Sequence, residues 1–75
     1  MKKPISHLKP GPGRYKVGDR VRILYGLRGA VGEVIEDRGK LGVGGERIYV
    51  VRIQVDPWNE ITPEYPESSL ETVSE

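Results

Sequence analysis

The sequence predicts an all-β fold: a small closed barrel of five short strands behind a flexible N-terminal arm. Three observations carry that expectation. Apolar and charged residues alternate at period two in Arg20-Val21-Arg22-Ile23 and again through residues 49–55. Glycine and proline, 10 and 6 of the 75 residues, recur at the short intervals that turns between short strands require. Nowhere do apolar residues recur at helical spacing over several turns.

The elements follow in order. Residues 1–14 form the expected arm. Pro4, Pro10, Pro12, Gly11 and Gly13 interrupt it, and only Ile5 and Leu8 are large and apolar, too little to offset the entropy of ordering it. The barrel is expected over residues 15–75. Val17-Gly18-Asp19 reads as a turn, and residues 20–23 as a strand with Val21 and Ile23 inward and both arginines outward. Gly26 and Gly29 make residues 25–30 a loop. Residues 31–36 are a second strand in which Gly32 marks a bulge or a close backbone approach. Residues 37–45, with four glycines, read as a mobile hairpin loop.

Residues 47–55 are the strongest strand. Tyr49, Val51, Ile53 and Val55 share its inner face, and Ile48 and Val50 on the other face call for a cover or a bulge. Trp58-Asn59 is a turn. Residues 60–65 form a short strand that Pro63 confines to a sheet edge. Residues 66–70 have the composition of one 3₁₀ turn, and residues 70–73 make the last strand.

A chain of 75 residues buries only about 60% of its unfolded surface, so one economical core is expected. No cysteine is present and the one histidine, His7, lies in the arm, so neither a disulfide nor a metal is expected to staple the fold. The lack of cysteine fits a reducing cytoplasm. The apolar runs are far shorter than a membrane span, and the basic first residues have no apolar run behind them to make a secretory signal. The net charge is +1, but it is unevenly spread. Residues 1–22 hold seven basic side chains against Asp19 alone, and residues 56–75 hold six acidic ones and no basic one. That asymmetry points either to charged partners or to two ends that neutralise one another across a closed sheet.

Gly18-Asp19-Arg20-Val21-Arg22-Ile23, then Gly26, Gly29 and Gly32-Glu33-Val34, resembles the KOW motif of ribosomal proteins and of a transcription elongation factor. Pro66-Glu67-Ser68-Ser69-Leu70-Glu71 is similar to the closing segment of small SH3-like barrels, among them the variable chain of ferredoxin–thioredoxin reductase and the stromal accessory subunit of photosystem I. The resemblance covers most of residues 15–73 and implies a five-stranded SH3-like barrel with a 3₁₀ turn before its last strand. It implies no particular activity, because such barrels host many unrelated tasks. The loop between Gly26 and Gly32 is shorter than is usual in KOW proteins, with Arg28 its only basic residue. The run Glu36-Asp37-Arg38-Gly39, with Gly42-Val43-Gly44-Gly45 and Tyr49 behind it, is similar to runs in small bacterial proteins and adds no function.

For catalysis the sequence offers little. The histidine and the serines lie in the tails, Glu36 and Asp37 are adjacent and so point to opposite faces of a strand, and no spacing suits a metal. No enzyme activity and no cofactor are expected. Residues 39–45 superficially suggest a phosphate loop but lead into a strand rather than a helix, which favours a hairpin loop. Lys40 and Arg38 on it remain available to touch a partner.

The candidate binding surface is therefore Arg20, Arg22, Tyr25, Arg28, Lys40 and Trp58. Basic groups beside an aromatic are the ingredients of phosphate contact and base stacking. Arg20 and Arg22 could instead pair with carboxylates of the last strand such as Glu71, and Tyr25 could pack over the rim. Trp58 is either an exposed anchor for a protein partner or, as so small a core favours, a plug for one end of the barrel. The expected function is a non-enzymatic module, monomeric or weakly oligomeric, that docks onto a larger protein assembly. The alternative is an RNA- or ribosome-binding domain.

Overall fold

The computed structural model describes residues 13–73. The arm expected over residues 1–14, His7 included, lies outside the described residues except for Gly13 and Arg14. Within them the chain is all-β, an antiparallel sheet of six strands. The strands are β1 (Arg20–Ile23), β2 (Val31–Gly39), β3 (Ile48–Asp56), β4 (Asn59–Ile61), β5 (Glu64–Pro66) and β6 (Leu70–Thr72). Their order is β4-β3-β2-β1-β6, and β5 also pairs with β3. Among the described residues no helix is long and apolar enough to cross a membrane.

The expected closed five-stranded barrel is not what forms. The strand expected over residues 60–65 is split at Pro63, which has no N–H to give a ladder. Its halves, β4 and β5, lie along one edge of β3, and the Val51 N–H bridges the gap by donating to the Pro63 carbonyl at 3.0 Å. The sheet rolls until β5 and β6 are joined by one 3₁₀ turn, Glu67–Ser69. The Glu67 N–H donates to the Arg47 carbonyl on the β3 side, and the Leu24 N–H donates to the Ser69 carbonyl on the β1 side. No ladder joins β6 to β5 among the described residues, so a seam stays open. The Tyr65 ring lies there under the β1–β2 loop, 3.3 Å from where a Cβ on Gly26 would stand.

β1 alternates as its sequence dictates, with Val21 and Ile23 fully buried. They pack with Tyr15, Val34, Tyr49, Val51, Ile53 and Leu70 in a single core, flanked by Ala30 and Tyr65. Gly32 is the close approach that its place in a strand suggested. A Cβ there would stand 2.5 Å from Val51 Cγ1 and 2.6 Å from the Arg52 carbonyl oxygen.

β2 runs to Gly39, three residues past its expected end, because two irregularities let it follow β3. Val34 pairs with Val51 but Glu36 with Val50, and Asp37 pairs with Tyr49 but Gly39 with Ile48. Ile35 and Arg38 are the extra residues, and each bulge bends the strand further. Val50, buried on the face away from the core, is flanked directly by Glu36 and Glu64. The Arg38–Glu64 ion pair, 3.1 Å, crosses β3 beside it. A third irregularity, between Gln54 and Asp56, takes Val55 out of the inner row where the alternation had put it.

Candidate functional site

Successive connections of an antiparallel meander lie at opposite ends of the sheet. The β1–β2 loop, residues 24–30, and the β3–β4 turn, residues 57–58, therefore share one end. Tyr25, Arg28 and Trp58 lie at that end, and Lys40, in the β2–β3 connection, lies at the other. Arg20 and Arg22 stand on the outer face of β1 between the two ends.

The β3–β4 turn is built around Asp56. Its carboxylate accepts from the Trp58 N–H at 2.9 Å and from Asn59 Nδ2 at 3.0 and 2.9 Å. The Asn59 side chain first, and then the Trp58 N–H, hold this carboxyl below the usual range. Gln54 Nε2 donates to the carbonyls of Asp56 and Asn59 from inside the hairpin. On this fixed turn Trp58 is 87% exposed. It is not the plug that a small core would favour: that role falls to Tyr65, which packs on the core from β5.

At the same end, a groove of about 670 Å³ opens between residues 26–30 and Ile53, Gln54 and Val55. Its floor is continuous with the interior, since Ile53 belongs to the core and Ala30 packs against it. Leu27 and Val55, 43% and 52% exposed, form its apolar rim. Tyr25 is also well exposed in the loop.

The outer face of β1, β2 and β3 carries charges of both signs. Arg20 stands opposite Glu33, Glu33 opposite Arg52, and Arg22 opposite Glu71. Glu33 is ion-paired to Arg52, and Glu71 makes no ion pair with Arg22 despite facing it across the ladder. Arg38, Arg47 and Arg52 are each paired with a carboxylate. Among the described residues Arg20, Arg22 and Arg28 have no ion pair and no side-chain hydrogen bond. A second depression, of about 380 Å³, is lined by Arg20, Val31, Glu33, Arg52 and Gln54. Gln54 belongs to both depressions, so the two adjoin between the apolar end and Arg20 of β1.

At the opposite end the structure holds a cluster that sequence reasoning missed. The Tyr15 N–H donates to Tyr49 Oη at 3.2 Å, and the Tyr49 hydroxyl donates to Glu67 Oε2 at 2.8 Å. The same carboxylate oxygen accepts from the Arg14 N–H at 2.8 Å, and the Tyr15 hydroxyl donates to the Leu70 carbonyl at 3.0 Å. The two rings meet edge to face, 5.4 Å apart. Burial raises the Tyr15 hydroxyl above its ordinary value and, with the bond to Glu67 adding to it, pushes Tyr49 up to about 12. The cluster ties the first described residues to the 3₁₀ turn and reads as architecture. The available signal was two tyrosines at core positions, whose hydroxyls need partners.

The glycine-rich connection is not a phosphate cradle. The N–H groups of Leu41, Gly42 and Gly45 donate to carbonyls of the connection itself, and the chain continues into β3. Among the described residues no group of three or more histidines, cysteines or carboxylates is placed to hold a metal. Compared with known proteins, the chain matches no family model and no curated protein sequence.

Proposed function

We propose that this chain is a non-enzymatic module that docks onto a larger protein assembly through the end of the sheet carrying Trp58. The observation that supports it is an indole 87% exposed on a turn already held by Asp56, Asn59 and Gln54. Large aromatics dominate interface energetics, and a turn fixed before binding loses little entropy on association. Kinship with SH3-like barrels belongs to the same reading. It draws support from the strand order and from the 3₁₀ turn immediately before β6.

The test is capture of partners from the native host with the tagged chain, beside a Trp58→Ala variant. Each captured protein is then purified and titrated while Trp58 emission is followed. Loss of the main partner in the variant and a blue shift on titration are expected; a variant that retains every partner defeats the reading.

The second reading is a KOW-like RNA- or ribosome-binding domain acting through Arg20 and Arg22. What favours it is that both side chains are without ion pairs among the described residues. A mobility shift with generic RNA at moderate salt, abolished by Arg20→Ala with Arg22→Ala, is its expected signature; no shift even at low salt removes it.

A further inference from the structure

Of the four arginines without ion pairs among the described residues, Arg14 lies with the tyrosine cluster and the other three follow one stretch of chain. Arg20 and Arg22 lie on β1 and Arg28 in the loop that follows it; Arg20 lines one depression, Arg28 the other, and Arg22 stands opposite Val31 of the first. At one end the surface is apolar, with Leu27, Ala30 and Val55 lining the groove. At the other it offers guanidinium groups, where the paired Arg52 and Glu33 neutralise one another and leave Arg20 as the uncompensated charge. The two depressions share Gln54, which stands between the apolar groove and Arg20.

We propose that this surface binds an extended acidic peptide segment of a partner protein. An apolar side chain of the segment sits in the groove between Leu27 and Val55, and its carboxylates meet Arg28, Arg22 and Arg20. The proposal rests on the docking reading above and adds the chemistry of the partner. Charge complementarity selects the occupant. Guanidinium groups bind carboxylates in a planar, bidentate geometry. A polyphosphate strand, charged at every unit, would run against Glu33, Glu71 and Glu60, which share this face with the arginines; a peptide with a few carboxylates can avoid them. The two free sheet edges are poorer sites. Pro63 and Pro66 interrupt the β4–β5 edge and β6 is only three residues long.

The probe is a displayed library of random peptides about twelve residues long, selected against the full chain. Recovered sequences are titrated by fluorescence anisotropy. The expected result is enrichment of peptides pairing a bulky apolar residue with one or more Asp or Glu. Binding should weaken roughly ten-fold or more in the Arg20→Ala, Arg22→Ala, Arg28→Ala triple variant, and also as salt rises. All three side chains are exposed, and circular dichroism of the variant checks that its fold is unchanged.

Enriched peptides without acidic residues, equal binding by the triple variant, or no enrichment at all each overturn the proposal. So does RNA that competes for the same arginines where acidic peptides do not. Host capture separates this failure from that of the docking reading. If Trp58→Ala loses the partner and the triple variant keeps it, the acidic-peptide inference fails while docking stands; if both variants keep it, both fail.

Discussion

Replacing Tyr49 by phenylalanine removes a single oxygen from the centre of the cluster that joins Tyr15, Glu67 and Arg14. Near neutral pH that oxygen accepts from one backbone N–H and donates to one carboxylate. Its loss leaves a buried donor unsatisfied, at a cost of about 2 kcal/mol. The pH dependence is more diagnostic. Tyr49 is completely buried, and its hydroxyl is raised from an ordinary 10.0 to about 12. A group whose folded-state value is raised contributes stability that is complete below the unfolded value and disappears as pH climbs to the folded one. The wild-type chain should therefore lose about 3 kcal/mol between pH 10 and pH 12 on account of this side chain. The phenylalanine variant has no such proton to lose. Urea unfolding followed by far-UV circular dichroism, repeated from about pH 9 to pH 12, measures the gap between the two proteins. The gap should close and even reverse as pH rises, although Tyr15 adds a common decline to both. A gap that stays constant across that range would refute the argument that burial of the Tyr49 hydroxyl couples folding to its proton.

Further outcomes follow from the same geometry. Gly32→Ala sets a Cβ against the Arg52 carbonyl, which cannot move cheaply, and should destabilise the fold by about 2–3 kcal/mol in urea unfolding. Trp58→Ala should change stability by less than about 0.5 kcal/mol, as at an ordinary surface site, where a plugging role would demand about 3–5 kcal/mol; thermal melts distinguish the two. Asp56→Ala should leave the core intact but loosen the turn, seen as lower steady-state anisotropy of Trp58 emission. Hydrogen bonds from Ser68 hold the Glu46 carboxyl below its usual range. Its contribution is therefore present above the unfolded value and lost as pH falls through the lowered one. In acid titrations monitored by circular dichroism, Glu46→Gln should flatten that part of the decline.

Most of the strand plan was legible from period-two alternation. Residues 20–23 are a strand with the bounds and inward residues that the pattern implied, and the 3₁₀ turn before the last strand stands where Pro66 and the serines placed it. The pattern misled where backbone irregularities intervene. Val55 belongs to the inner row by parity, yet the bulge between Gln54 and Asp56 turns it out to the groove. Ile35 and Arg38 similarly extend β2 beyond the stretch that composition marks.

Of the candidate surface, the residue types were readable and their grouping was not. Tyr25, Arg28 and Trp58 fall at one end because alternate connections of a meander share an end, which also separates them from Lys40.

The sequence by itself determined the all-β class, the inward residues of β1 and most of those of β3, and the need for glycine at position 32. Each of these is set by local backbone geometry and by what a side chain of a given polarity tolerates. Only the tertiary structure decided that the sheet stays open along one seam, that Tyr65 rather than Trp58 packs on the core, and that Arg20, Arg22 and Arg28 have no carboxylate partner among the described residues. Those outcomes depend on register and on contacts between residues far apart in the chain, which no local pattern encodes.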